Sequence, residues 1–428
     1  MHPTRSPHRG PVRAAERALA PDLARGFMLL LIALANTPYY LWATDRPAMS
    51  PHPGGGSALD TAVQAALTVA VDGRIYPMFA FLFGYGIMRT FDRQVEAGAD
   101  ARGAAALVRR RHLWMLVFGF VHAALLWMGD ILGAYGVAGL VLCGLFLRRS
   151  ERTIRIWAVI LTALVAAIAA LSAAVAVLAS QSPGGGAGAV DDGMAGYFFA
   201  SFSEPGILSA ALDRLMVWPL LVVAQGLGFV VPAAILLGMA AGRRRMLEVP
   251  GHYLRTFGWT AVLGISAAWV AALPEALHLA GLMDLTAPAL DAWSGARSFG
   301  GLFGGLGYVA VFGIIGHLLG RRERQGTVVV AVTAVGKRSM SSYLAQSVIC
   351  SPVLAAWGLG FGAALHSASM ALFALGVWLV TVAGAYALER TGRRGPAEVL
   401  LRRLTYRTPE PAAPAPAPAQ AGAQDVTR

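Results

Sequence analysis

The chain has 428 residues, 56% of them hydrophobic and 14% charged, with a mean hydropathy of +0.58; this composition is that of a polytopic membrane protein and excludes a soluble fold. The net charge of +12 sits in short basic clusters between apolar segments, with neither zinc-finger spacing nor a basic helix, so no nucleic-acid partner is expected.

Residues 1–20 are polar and arginine-rich, lack apolar periodicity and are expected to be disordered. The apolar segment that follows has no small-residue cleavage site and reads as a retained first span. Candidate spans run at 23–43, 74–91, 112–130, 132–147, 153–180, 215–241, 255–275, 298–319, 338–357 and 367–388. The fold class is therefore all-α, a polytopic integral membrane bundle of about ten helices. With an inside start, all but four of the 35 basic residues are cytoplasmic, the exceptions being Arg46, Arg74, Arg214 and Arg297. Both termini are then inside, and the protein is expected in the cytoplasmic membrane among its lipids. One membrane domain, 21–406, divides into N-terminal helices, 21–250, and a C-terminal region, 251–406, followed by a disordered Pro/Ala-rich tail, 407–428. No internal repeat is visible.

In the first span Asp22 and Arg25 lie one turn apart, close enough to pair. Asn36 follows eleven residues beyond Arg25, where a polar side chain either glues helices together or serves chemistry. The outer segment 45–60 is glycine-rich. In DGRIYPMFAFLFGYGIM, 72–88, Arg74 breaks the charge rule; it either anchors an anionic or carbonyl group of a substrate at an outer mouth or pairs with Asp72 at the surface. Gly84 and Gly86 suit close helix packing better than phosphate binding, since no strand precedes them.

The run HLWMLVFGFVHAALLWMGDILGAYGVAGLVLCGLFL, 112–147, is too long for one crossing and must turn back at Gly129-Asp130. It carries His122 about 16 Å above the arginines at 109–111, level with Asn36. Polar groups in hydrocarbon require partners or a function. If the first helix continued unbroken, His122 and Asp130 would be about 80° and ~12 Å apart, so a group or water is expected between them. Further on, 181–213 and 274–297 read as outer loops, the latter with Glu275, Asp284 and Asp291. In GKRSMSSYLAQSVIC, Tyr343, Gln346 and Ser347 form a polar stripe facing the bundle, with Lys337 and Arg338 at its inner end. Cys143 and Cys350 lie in apolar runs and pack as small hydrophobes. The remaining histidines have no ligand spacing, and HExxH, CxxC and GxSxG are absent, so metal and serine hydrolysis have no support.

The chain resembles the YeiB-like membrane proteins, which end in a domain of unknown function, family 418. The resemblance is carried by D-x-x-R-G with Asn36, by FAFLFGYG, by RRRHLWMLVFGFVHAALLWMGDILGAYGVAGL, by GKRSMSSYLAQSVIC and by GPAEVLLRRLTYR. It makes 251–406 a YeiB-like region. That family is similar in architecture to the heparan glucosaminide N-acetyltransferases and the acyltransferase-3 proteins, which move an acyl group from cytosolic acyl-CoA to an outer acceptor by means of a histidine. In acyltransferase-3 proteins a basic residue precedes that histidine at a set spacing; Arg25 has this spacing to Asn36, and Arg111 has it to His122.

The resemblance implies an acyl-CoA donor held near Arg25, Arg109, Arg110, Lys337 and Arg338. It implies His122 as general base or transient acyl carrier with Asp130 in support, and Asn36 or Gln346 as a donor to the oxyanion. Arg74, Tyr343, Gln346 and Ser347 are the candidate contacts to a small-molecule or glycan acceptor. The alternatives are a transporter or flippase of a small metabolite or lipid intermediate, in which the same polar residues form a path, and a non-catalytic scaffold or sensor.

Overall fold

Helix starts follow the capping chemistry written in the sequence. Ser57 and Asp60 form a reciprocal capping box at the head of one helix, and Asp100, Asp130 and Ser150 each accept from backbone N–H groups of the helix they precede. The structure, a computed structural model, describes residues 18–44, 50–181 and 199–406. The segments expected to be disordered, 1–20 and 407–428, lie outside the described residues except for 18–20, of which Leu19 and Ala20 already belong to the first helix.

The described residues include α1 (Leu19–Asn36), α2 (Ala58–Ala70), α3 (Ile75–Glu96), α4 (Ala101–Leu125), α5 (Ile131–Phe146), α6 (Glu151–Ser180), α7 (Ile207–Leu227), α8 (Val230–Arg243), α9 (Leu254–Leu279), α10 (Ala287–Gly320), α11 (Thr327–Lys337), α12 (Ser339–Leu354), α13 (Ser367–Arg390) and α14 (Pro396–Thr405). Among the described residues there is no strand. Seven helical segments among the described residues are long and apolar enough to cross a membrane, and α5, α8 and α11 are shorter apolar helices. The protein is thus an all-α, multi-pass membrane bundle.

The expected turn at Gly129-Asp130 is present, since α4 ends at Leu125 and α5 begins at Ile131. Four expectations need correction. The 215–241 span is two helices, α7 and α8, divided at Gly228 and Phe229. The segment 321–338, expected as a basic loop before the 338–357 span, contains α11, and that span begins after it at Ser339. The segment before α3, expected outside and glycine-rich, contains α2, which that composition concealed. The wide outer loop at 274–297 shrinks to 280–286, because α9 continues to Leu279 and α10 begins at Ala287, while 207–213 of the other expected loop is already α7.

The main core runs along α3, α5 and α8 with the inner faces of α1, α4 and α10. Helices approach closely where glycine removes the side chain. A Cβ on Gly26 of α1 would lie 1.9 Å from the Val332 carbonyl of α11, and one on Gly84 of α3 would lie 2.1 Å from the Ile235 carbonyl of α8. Gly84 therefore serves packing, as its sequence context indicated. α6, α7 and α13 leave most of their apolar surface uncovered by protein, as lipid-facing helices do.

Candidate functional site

The last turn of α4 carries His122, and the chain leaves the helix just beyond it. The N–H groups of Leu126 and Trp127 both return to the His122 carbonyl, folding 126–130 back on the helix end. This reversal brings Asp130 to the imidazole. His122 Nδ1–H donates to Asp130 Oδ1 at 2.7 Å, with both side chains buried. The expected separation of ~12 Å is thus overturned, because α4 stops at Leu125 rather than carrying both residues on one helix. Asp130 Oδ2 accepts from the Gly133 N–H, so one carboxylate caps α5 and orients the histidine.

With Nδ1 serving as donor, a neutral imidazole presents Nε2 as an acceptor. Nε2 is buried and has no hydrogen-bond partner among the described residues. The Tyr343 ring lies against the imidazole with centroids 5.1 Å apart. The Tyr343 hydroxyl accepts a long hydrogen bond, 3.5 Å, from the Ile131 N–H beside Asp130.

Tyr343 also lines a narrow cavity with room for about one water. Its other polar walls are Asn36, Thr37, Tyr40, Gln346, Ser347 and Trp127. The stripe of Tyr343, Gln346 and Ser347 therefore faces the interior opposite Asn36, as their spacing indicated. His122 is not a wall of this cavity; it stands behind Tyr343. Gln346 donates from Nε2 to the Leu29 carbonyl, leaving Oε1 without a partner among the described residues.

Two supports were not legible as such. Arg214 of α7 places its guanidinium on the carbonyls of Ala123, Ala124 and Leu125, at 3.1, 2.9 and 3.4 Å, closing the C-terminus of α4 next to His122. Tyr40 donates to Ser351 Oγ at 2.6 Å, and Ser351 donates to the Leu126 carbonyl at 2.9 Å, fixing the fold-back from the other side. The sequence signal for Arg214 was its position on the basic-poor side.

That signal applies to every described exception to the charge rule. Arg74, Arg214 and Arg297 are 0%, 2% and 7% exposed. Arg74 does not stand at an open mouth: it donates to the carbonyls of Thr68, Asp72 and Ala268, tying the turn before α3 to α9. Arg297 pairs with Glu275 at 2.6 Å inside the bundle, so neither residue lies on an outer loop. Arg46 lies outside the described residues.

The cations expected at the inner end are largely engaged. Arg25 pairs with Asp22 at 3.2 Å, as its spacing indicated, and reaches the Leu82 carbonyl. Lys337 and Arg338 share Glu389 of α13 at 2.6 and 2.7 Å. Arg110 donates to the Thr405 carbonyl of α14, and Arg109 is exposed. Glu398 of α14 accepts from the N–H groups of Met340 and Ser341, filling the N-terminus of α12. Cys143 and Cys350 are buried free thiols.

Residues 241–408 match the model of a protein family of unknown function, DUF418. The chain is 26% identical over 420 residues, 94% of its length and 98% of that protein, to the uncharacterized protein YxaH of Bacillus subtilis (strain 168). It is 24% identical over 407 residues, 93% of its length and 98% of that protein, to the uncharacterized protein YeiB of Escherichia coli (strain K12). No solved structure matches the chain.

Proposed function

We propose, for a chain of the YeiB-like DUF418 family of membrane proteins, that it transfers an acyl group from cytosolic acyl-CoA to an outer or membrane-borne hydroxyl acceptor, with His122 as general base. The observation that supports this reading is the His122–Asp130 pair. A carboxylate holds Nδ1–H at 2.7 Å and leaves Nε2 as an unspent acceptor in a water-poor interior. This is how a base is held ready for proton transfer.

In the proposed step the acceptor hydroxyl gives its proton to Nε2 as its oxygen attacks the thioester carbonyl carbon. The carbonyl π pair moves to oxygen, and Asn36 donates to the resulting oxyanion. Collapse expels the CoA thiolate, which takes the proton back from the imidazolium. Tyr343, Gln346 and Ser347 contact the reacting groups. The CoA phosphates lie at the inner end, at exposed Arg109 and at Arg25, Arg110, Lys337 and Arg338, where they compete with Glu389 for the last two. Arg74 has no part in this reading, since its donors are spent on carbonyls. The membrane is proposed to be the cytoplasmic one.

His122→Ala tests the reading, because alanine removes the imidazole while retaining helix propensity. Turnover of labelled acetyl-CoA by purified protein in lipid vesicles should fall at least about a hundredfold, with the protein still monodisperse. Wild-type turnover in His122→Ala overturns the mechanism. Solute movement without consumption of acyl-CoA by the wild type establishes transport instead.

A further inference from the structure

Trp127 is a wall of the cavity and is 4% exposed, yet its indole Nε1–H has no hydrogen-bond partner among the described residues. Buried indole N–H groups ordinarily find an acceptor, and a donor left without one opposes folding. The ring itself is firmly held. Tyr40 stacks on it with centroids 5.4 Å apart, and Tyr39 and Phe202 pack against it at 5.8 and 5.5 Å. Its backbone N–H binds the His122 carbonyl, so the indole is anchored directly beside the residue that carries the base.

Gly129 adds a second observation. A Cβ at this position would lie 2.7 Å from Trp127 Nε1, so only glycine lets the backbone pass this close to the indole edge without displacing the ring. The other unpartnered groups nearby differ in kind: His122 Nε2 and Gln346 Oε1 are acceptors, which an oxyanion repels. Trp127 therefore offers a fixed, unpartnered donor at the wall of the cavity that Asn36 and Tyr343 also line.

We infer that the Trp127 indole N–H is a hydrogen-bond donor to the acyl carbonyl oxygen of the bound thioester and to the oxyanion formed from it. The inference rests on the acyl-transfer reading above. The proton and electron flow is the one already given, and Trp127 neither gains nor loses a proton. Its bond to oxygen shortens as the carbonyl π pair moves there and relaxes as the thiolate leaves, so it favours the transition state over the ground state.

The probe is acetonyl-dethia-CoA, in which a methylene replaces the thioester sulfur and the carbonyl is retained, compared with CoA itself, which has no carbonyl there. Trp127→Phe keeps an aromatic ring at the site and removes the N–H together with part of the indole. It should bind the ketone analogue about tenfold more weakly than the wild type and bind CoA equally well. Turnover of labelled acetyl-CoA should fall about a hundredfold in kcat with KM little changed, and its pH profile, set by the dyad, should keep its shape. Gly129→Ala, which crowds the indole nitrogen, should show the same selective loss and serves should Trp127→Phe fail to fold. Equal weakening toward CoA and the ketone, or no weakening toward either, overturns the role of Trp127 while leaving the transfer reading intact. A wild-type protein that binds neither compound overturns both.

Discussion

Asp130 performs two tasks that substitution can separate. Asparagine is as good a helix N-cap as aspartate, whereas alanine is not. Asp130→Asn should therefore keep α5 capped and leave the melting temperature near wild type, while acetyl-CoA turnover falls a hundredfold or more because a neutral amide no longer fixes the imidazole. Asp130→Ala should lose turnover and about 1 kcal/mol of stability besides. Thermal unfolding and turnover measured on both proteins check this, and full activity in the asparagine variant would reduce Asp130 to a cap. The identity of the polar residues was legible because hydrocarbon makes them costly, and the i, i+3, i+4 stripe in α12 was legible from spacing alone. The contact between His122 and Asp130 was not. A ruler laid along the helix assumes that the helix continues, and nothing apolar in ALLWMGD announces that the chain leaves α4 at Leu125.

Single elements show the same division. The turn marked by Gly129-Asp130 was found, while the break at Gly228 falls within a run whose hydropathy does not change, so an apolar count joins α7 and α8. The terminal block GPAEVLLRRLTYR gains a physical meaning only in three dimensions. Pro396 begins α14, Glu398 fills the head of α12, and Thr405 receives Arg110 of α4, so this short helix links the two elements that carry Tyr343 and His122. Glu398→Ala removes the acceptor for two backbone N–H groups and for the Ser341 hydroxyl. It should cost about 1–2 kcal/mol of stability. Thermal unfolding in detergent measures the loss, and an unchanged melting temperature would show that solvent satisfies those donors equally well.

At the scale of the whole molecule, the orientation expected from the arginine-rich loops has a direct check. Gly281, between α9 and α10, and Gly326, before α11, both have open space where a side chain would go. Cysteine introduced at 281 should react with an impermeant thiol reagent from outside intact cells, and cysteine at 326 only after the membrane is opened. The reverse pattern would invert the topology and place the dyad toward the cytoplasm.

If that orientation holds, the buried arginines Arg74, Arg214 and Arg297 also set an order of events in biogenesis. In this orientation each guanidinium crosses outward against an interior-negative potential, at about 2.3 kcal/mol per charge per 100 mV, or roughly 7 kcal/mol for three. Their compensating bonds become available at different times during synthesis. Arg214 finds its carbonyls on α4, already made, and Arg297 meets Glu275 from the helix just before its own. Arg74 must wait for the Ala268 carbonyl, 194 residues downstream, with only the carbonyls of its own turn to hold it until then. The N-terminal helices therefore pass through a long interval in which one charge is inserted but not yet locked, and docking of α9 is the event that ends it.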